Sequence, residues 1–148
     1  METLKRLLAP HSLLALDTSI FIYHFEAHPT YLPFTRFLLH SVATGNRGAI
    51  ISELVFLELL VKPMSLERED LADQYELLLD NFPHLKAHPI KRTVLRTAAQ
   101  LRGRYRIKTP DAIHLATALE SGATVFICND RGLKAVQEIE FIVLGDLT

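Results

Sequence analysis

The chain has a single cysteine, no surplus of basic residues and no long apolar run, and each shortage excludes something. Cys128 alone cannot close an intramolecular disulfide, and no second thiol is present to build a thiolate zinc site. It reads as a small buried hydrophobe in a reducing compartment. Sixteen Lys and Arg against 17 Asp and Glu leave a net charge of −1, which rules out a uniformly basic nucleic-acid coat and a polyanionic tail. The most apolar segment, Ile50–Val61, is broken by Glu53 and Glu58 and falls short of the roughly 18–20 residues that span a bilayer, so no membrane association is expected. The start, Met1-Glu2-Thr3-Leu4-Lys5-Arg6, carries no small-residue cleavage motif, and the expected location is the cytosol. There is no phosphate-binding or dinucleotide glycine loop and no G-x-S-x-G elbow, and Ser19 and Ser52 have no recognisable His/Asp relay.

What is present is 148 residues, 49% of them hydrophobic, which suits one domain over residues 1–148 that buries about 70% of its unfolded surface. Short apolar runs at Leu13–Leu16, Ala49–Ile51 and Thr124–Cys128 read as buried strands, with Phe141–Leu144 as a fourth and Ala87–Ile90 as a weak fifth that Pro89 demotes to an edge. Between them, helical spacing links Leu71, Tyr75, Leu78 and Phe82, then Leu95, Ala98 and Ala99, then Ile113, Ala116 and Leu119 before a Ser121-Gly122 stop. Alternating strand and helix predicts an α/β fold with a parallel sheet covered on both faces. The polar stretch Lys62–Asp73 reads as a loop leading into a helix.

Charge is distributed unevenly along the chain. Residues 81–110 hold eight basic side chains and no acid, whereas the remainder holds eight basic and 17 acidic ones. Within this run Arg96, Arg102, Arg104, Arg106 and Lys108 form a candidate RNA-binding footprint that ends just before Asp111, against the alternative of a solvated helix face.

Three of the strand candidates end in small polar residues: Asp17-Thr18-Ser19, Ser52 and Asn129-Asp130. In an open parallel sheet the ligand crevice lies at these carboxyl ends, so residues distant in sequence can converge there. The same residue types are also ordinary helix caps. Glu58 is harder to explain as structure, because Leu54–Val61 is otherwise apolar around the helix and an unbound carboxylate there is costly. Glu53, about 140° away on that helix, is accounted for by the helix dipole. In Thr109-Pro110-Asp111-Ala112-Ile113-His114, the expectation is a Thr cap and Pro at the first helical position, with Asp111 in the first turn of an apolar helix. Brought together, Asp17, Glu58, Asp111 and Asp130 would repel one another unless a divalent cation neutralised them, and all-oxygen donors suit Mg²⁺ or Mn²⁺. Such pockets serve phosphodiester hydrolysis.

In these motifs, Leu16-Asp17-Thr18-Ser19, Ser52 with Glu58-Leu59, Pro110-Asp111-Ala112-Ile113-His114 and Asn129-Asp130 before Arg131-Gly132, the chain resembles the PIN domain family over essentially its whole length. Within that family it is most similar to the small VapC-type toxin ribonucleases. The resemblance implies a three-layer α/β/α domain with sheet order 3-2-1-4-5 and a metal-dependent endoribonuclease activity yielding 5′-phosphate and 3′-hydroxyl ends. It implies that Asp17, Glu58, Asp111 and Asp130 hold Mg²⁺ or Mn²⁺, with Thr18 and Asn129 orienting water, phosphate or the carboxylates. It further implies a homodimer and a small antitoxin partner whose C-terminal segment occupies the groove. The alternative is a non-catalytic PIN-like scaffold that binds RNA or protein. Two H-x₃-H pairs, His24/His28 and His84/His88, are weak metal candidates, because Pro83 and Pro89 bracket the second. His114, three residues after Asp111, shares its helix face, where it could orient the carboxylate or touch phosphate, but reads first as a partly buried packing histidine.

Overall fold

A computed structural model describes all 148 residues, Met1–Thr148. Five strands, β1 (Leu13–Leu16), β2 (Gly48–Ser52), β3 (Leu85–His88), β4 (Val125–Cys128) and β5 (Glu140–Val143), form one sheet in the order β3-β2-β1-β4-β5. Every neighbouring pair is parallel. Seven helices cover it: α1 (Glu2–Leu8), α2 (Thr18–Phe25), α3 (Leu32–Ala43), α4 (Leu54–Ser65), α5 (Glu69–Asp80), α6 (Arg92–Tyr105) and α7 (Thr109–Glu120). Short 3₁₀ turns follow β4 (Arg131–Ala135) and β5 (Leu144–Leu147). This is the α/β, three-layer arrangement with order 3-2-1-4-5.

Alternation along the buried strands separates two cores. Leu14, Leu16, Ala49, Ile51, Val125 and Ile127 point to one face, where α1–α5 supply Leu4, Phe21, Leu38, Val55 and Leu79. Ala15, Ile50, Phe126 and Cys128 point to the other, where α6 and α7 supply Val94, Leu101, Leu115 and the small residues Ala98, Ala112, Ala116 and Ala118. The alanines let α7 lie close against the strands, and that closeness positions its first turn at the sheet edge.

Several sequence expectations are corrected by packing. Helix α4 continues through Lys62–Ser65 and α5 starts at Glu69, so the expected Lys62–Asp73 loop shrinks to Leu66–Arg68; the polar side chains face water from helices anchored by buried Pro63 and Ala72. On α5 the buried residues are Ala72 and Leu79, while Leu78 is exposed; on α6 they are Val94, Ala98 and Leu101, while Leu95 is exposed. The edge strand β3 lies two residues earlier than Ala87–Ile90, because Pro89 has no N–H with which to continue the ladder. Helices α1 and α3 are additional to the expected elements. Helix α7 begins at Thr109 rather than Pro110, and its cap position, Lys108, makes no side-chain capping bond; Asp111 stays in the first turn.

Candidate functional site

Four chain segments deliver carboxylates to the C-terminal edge of the sheet. Asp17 follows β1 and caps α2: its Oδ2 accepts from the Ser19 hydroxyl at 2.8 Å and more weakly from the Ser19 N–H at 3.4 Å. Its own backbone N–H donates to Ile127 of β4 at 3.0 Å, which fixes it beside the end of that strand. Asp130, just past β4, caps the following 3₁₀ turn by accepting from the Gly132 N–H at 2.9 Å. At both junctions the capping role and a place at the sheet edge coexist.

Glu58 reaches in from α4. Its Oε1 accepts from the Thr18 hydroxyl at 2.7 Å and lies 2.5 Å from Nε2 of His114. Burial alone would push this carboxyl up, but the hydrogen bonds of His114 and Thr18 and the charge of His114 outweigh burial and hold it below the ordinary range. The His114 ring is almost wholly buried, its Nε2 also stands 4.0 Å from Asp17 Oδ1, and its Nδ1 has no partner. His114 is thus the residue the sequence reading undervalued: it underlies the acids rather than merely packing. The available signal was its spacing of three from Asp111 on a helix whose other face is alanine-rich.

Asp111, one turn before His114 on α7, makes no side-chain hydrogen bond. Its carboxyl is pushed up first by burial and then by the negative charges of Asp17 and Asp130, with Glu58 adding to this and His114 opposing it. Charges act on one another strongly only at short range, so Asp17, Asp130 and Glu58 each lie near enough to Asp111 to raise its carboxyl. Beneath them the Cys128 thiol is pushed up to about 12, chiefly by burial, with a backbone hydrogen bond opposing and Asp17, Asp130 and Asp111 adding to the rise; at neutral pH it is an inert thiol.

The donor set suits a hard divalent cation in one specific respect. Asp17 commits only Oδ2, Glu58 only Oε1 and Asp130 only Oδ1 to protein hydrogen bonds, and Asp111 commits neither oxygen, so each acid keeps at least one free. As placed, no three His, Cys, Asp or Glu side chains form a closed ligand group, so an ion would have to draw the carboxylates inward.

Other candidates fare differently. Neither H-x₃-H pair contributes to a metal-ligating group. His28 Nδ1 instead accepts from the backbone of Thr30 and Tyr31, and His24 pairs with Thr35. Asn129 bonds Tyr23 and Gly145 rather than a carboxylate. In the basic run, Arg104 is ion-paired with Glu138 and Arg102 holds the Ile107 carbonyl, while Arg106 and Lys108 sit in the turn leading into α7, nearest Asp111. Arg96 is exposed on α6. A cavity of about 260 Å³ lies beside Glu58, lined by Ile22, Phe25, Leu59, Leu66, Leu71 and Tyr75. No helix is long and apolar enough to cross a membrane.

Comparison with known proteins follows the same lines. No curated protein is significantly similar in sequence. Among solved structures, a toxin–antitoxin complex from Klebsiella pneumoniae superposes with a TM-score of 0.67 at 18% identity, covering 88% of this chain and 97% of that one. VapBC2 from Rickettsia felis bound to a promoter DNA fragment gives 0.68 at 17% identity, covering 88% and 98%. DNA-bound VapBC from Salmonella typhimurium gives 0.68 at 20% identity, covering 88% and 97%. At these identities the likeness is one of fold. The sequence model of the PIN domain matches residues 14–139, most of the chain, and with the parallel sheet and its acid-lined edge already described, the chain belongs to the PIN domain family.

Proposed function

We propose that this chain is a metal-dependent endoribonuclease acting as the toxin of a toxin–antitoxin pair in the cytosol. The observation that carries the reading is the electrostatic group at the sheet edge, where Asp111 stands among Asp17, Asp130 and Glu58 with its carboxyl pushed up and every acid keeping a free oxygen. These four residues would hold Mg²⁺ or Mn²⁺, which when bound supplies a lowered water pKa and compensates charge building on the phosphate. Thr18 and His114 keep Glu58 ionised and aimed at the site, and the Ser19 hydroxyl holds the Asp17 carboxylate in place. Arg106 and Lys108, at the entrance to α7, are placed to draw the RNA backbone toward Asp111, with Arg96, Arg102 and Arg104 further out.

The antitoxin part of the reading rests on the apolar cavity between α2, α4 and α5, which ends at Glu58 and is rimmed by the Lys62–Glu26 ion pair. A peptide with apolar anchors and one arginine would fill this cavity and present its charge to the acids. The Klebsiella pneumoniae structure is a toxin–antitoxin complex and the other two are DNA-bound VapBC assemblies, which supports the same partner class here. A homodimer belongs to this reading and is checked by light scattering.

The test is incubation of purified protein, freed of any co-purifying polypeptide, with total RNA in Mg²⁺ or Mn²⁺ and in chelator, beside Asp111→Asn, with mapping of fragment ends. Metal-dependent cuts bearing 5′-phosphates and absent from the variant are expected. Equal cutting by a folded Asp111→Asn protein would sink the assignment, and no cutting with no metal binding would favour the non-catalytic scaffold.

A further inference from the structure

A second pocket of about 340 Å³ opens over the ends of β4 and β5, lined by Tyr31, Asn129, Arg131, Val143 and Gly145. It adjoins Asp130, because Asn129 and Arg131 flank that residue in the chain. Its walls are held rigidly. The Tyr31 ring packs in a three-ring cluster with His28, stacked with centroids 4.7 Å apart, and Tyr23 at 4.8 Å, the latter two also touching at 5.0 Å. The Asn129 amide ties the pocket together, donating to the Tyr23 hydroxyl at 3.1 Å and accepting from the Gly145 N–H at 2.8 Å.

The Arg131 guanidinium is likewise fixed, with Nε donating to Asp146 at 2.5 Å and Nη2 to the Gly145 carbonyl at 3.2 Å, which leaves Nη1 free. Asp146 also pairs with Lys134. Space at the floor is tight: a Cβ on Gly145 would stand 3.0 Å from Asn129 Oδ1, 3.7 Å from Arg131 and 3.8 Å from the Tyr31 hydroxyl. That hydroxyl, though aimed by two aromatic neighbours, makes no hydrogen bond within the chain. A planar guanidinium, a free phenol hydroxyl and a spare guanidinium donor around a shallow polar cavity are the equipment for one unstacked base of a single strand: the plane to stack on and the edge to read.

We propose that this pocket receives the nucleobase of the nucleotide next to the scissile phosphate, stacked on Arg131 and read at its edge by Tyr31. The inference rests on the ribonuclease reading and deepens it by assigning base preference to named residues outside the acids.

The test uses the full chain in chelator, so that nothing is cut, with fluorescently labelled decamers of U, C, A and G and an abasic decamer as probes for anisotropy titration. Tyr31→Phe removes only the hydroxyl and Arg131→Gln the plane and charge; melting curves check that both fold. The expected result is that the wild-type protein prefers one base, that each variant weakens the preferred decamer about three- to tenfold, and that abasic binding is the same for wild type and Tyr31→Phe. A preference unchanged in both variants, or absent from the wild type, overturns the pocket and leaves the ribonuclease reading standing. Binding of no decamer, abasic included, overturns the pocket, and the metal-dependent cleavage assay decides the ribonuclease reading separately.

Discussion

The two halves of the acidic site are built on opposite principles. Asp17 and Glu58 are braced: Ser19 holds the first, Thr18 and His114 the second, and Glu58 is kept below the usual carboxylate range although burial opposes it. Asp111 is unbraced, with no hydrogen bond of its own and a carboxyl pushed up by burial and its acidic neighbours. Asp130 is exposed and holds only its own turn. Asp17 and Glu58 are preorganised by protein hydrogen bonds, while Asp111 is left buried among negative charges that a cation would offset. A protein needing these acids only for folding would have no reason to leave Asp111 so placed.

The largest effect expected from breaking this arrangement is at Asp111. Asp111→Asn should lower metal-dependent RNA cleavage by at least about 100-fold, a barrier increase of roughly 3 kcal/mol, while raising the melting temperature in chelator because a repelled charge is gone. Cleavage assays and thermal melts of the same preparation check both halves, and a variant that is inactive because it is less stable would contradict the comparison. On the braced side stability should fall instead. Glu58→Ala leaves both nitrogens of buried His114 unpartnered and should cost about 2 kcal/mol, read by denaturant unfolding.

Acidification should separate the two halves by sign. Glu58, held below its unfolded value, contributes stability above that value that is lost as pH falls through its folded one. Asp111, raised in the fold, is penalised while ionised and loses that penalty as pH falls. With divalent ions chelated, the destabilisation by Glu58→Gln and the stabilisation by Asp111→Asn should therefore both be present at neutral pH and both shrink as pH drops through the carboxylate range. Melting curves across that range check this, and differences of one common sign would refute it. A smaller change is expected from Thr18→Val, which removes a single hydrogen bond to Glu58 and should cost about 1 kcal/mol. The smallest is at Lys108→Gln, where the salt dependence of RNA binding should flatten by about 0.7 in log–log slope if one phosphate contact is lost.

How far these features were legible in advance depends on the range of the interaction that makes them. Asp17 and Asp130 could be located from local pattern, because an apolar strand followed by a capping residue is a short-range signal. Glu58 was legible as an anomaly, a lone charge in an apolar helix. Its partners were not, since Thr18 lies 40 residues away and His114 lies 56, and nothing in spacing along the chain joins α2, α4 and α7. On α5 and α6 only part of the apolar spacing faces the core: Tyr75, Ala98 and, just past α5, Phe82 are packed, while Leu78 and Leu95 are exposed. Several apolar positions compete on each helix, and the neighbouring layer chooses which of them is buried.

The sequence by itself determined that strands and helices alternate, that the buried strands form a parallel sheet covered on both faces, and that acids stand where strands end, since all of these follow from local periodicity and residue chemistry. Tertiary structure alone decided that α7 packs close enough for His114 to reach beneath Glu58 and Asp17, and that Tyr31, Asn129, Arg131 and Gly145 wall one pocket. Those outcomes depend on how two layers settle on the sheet, to within about an ångström, and packing at that precision is a property of all the contacting side chains together.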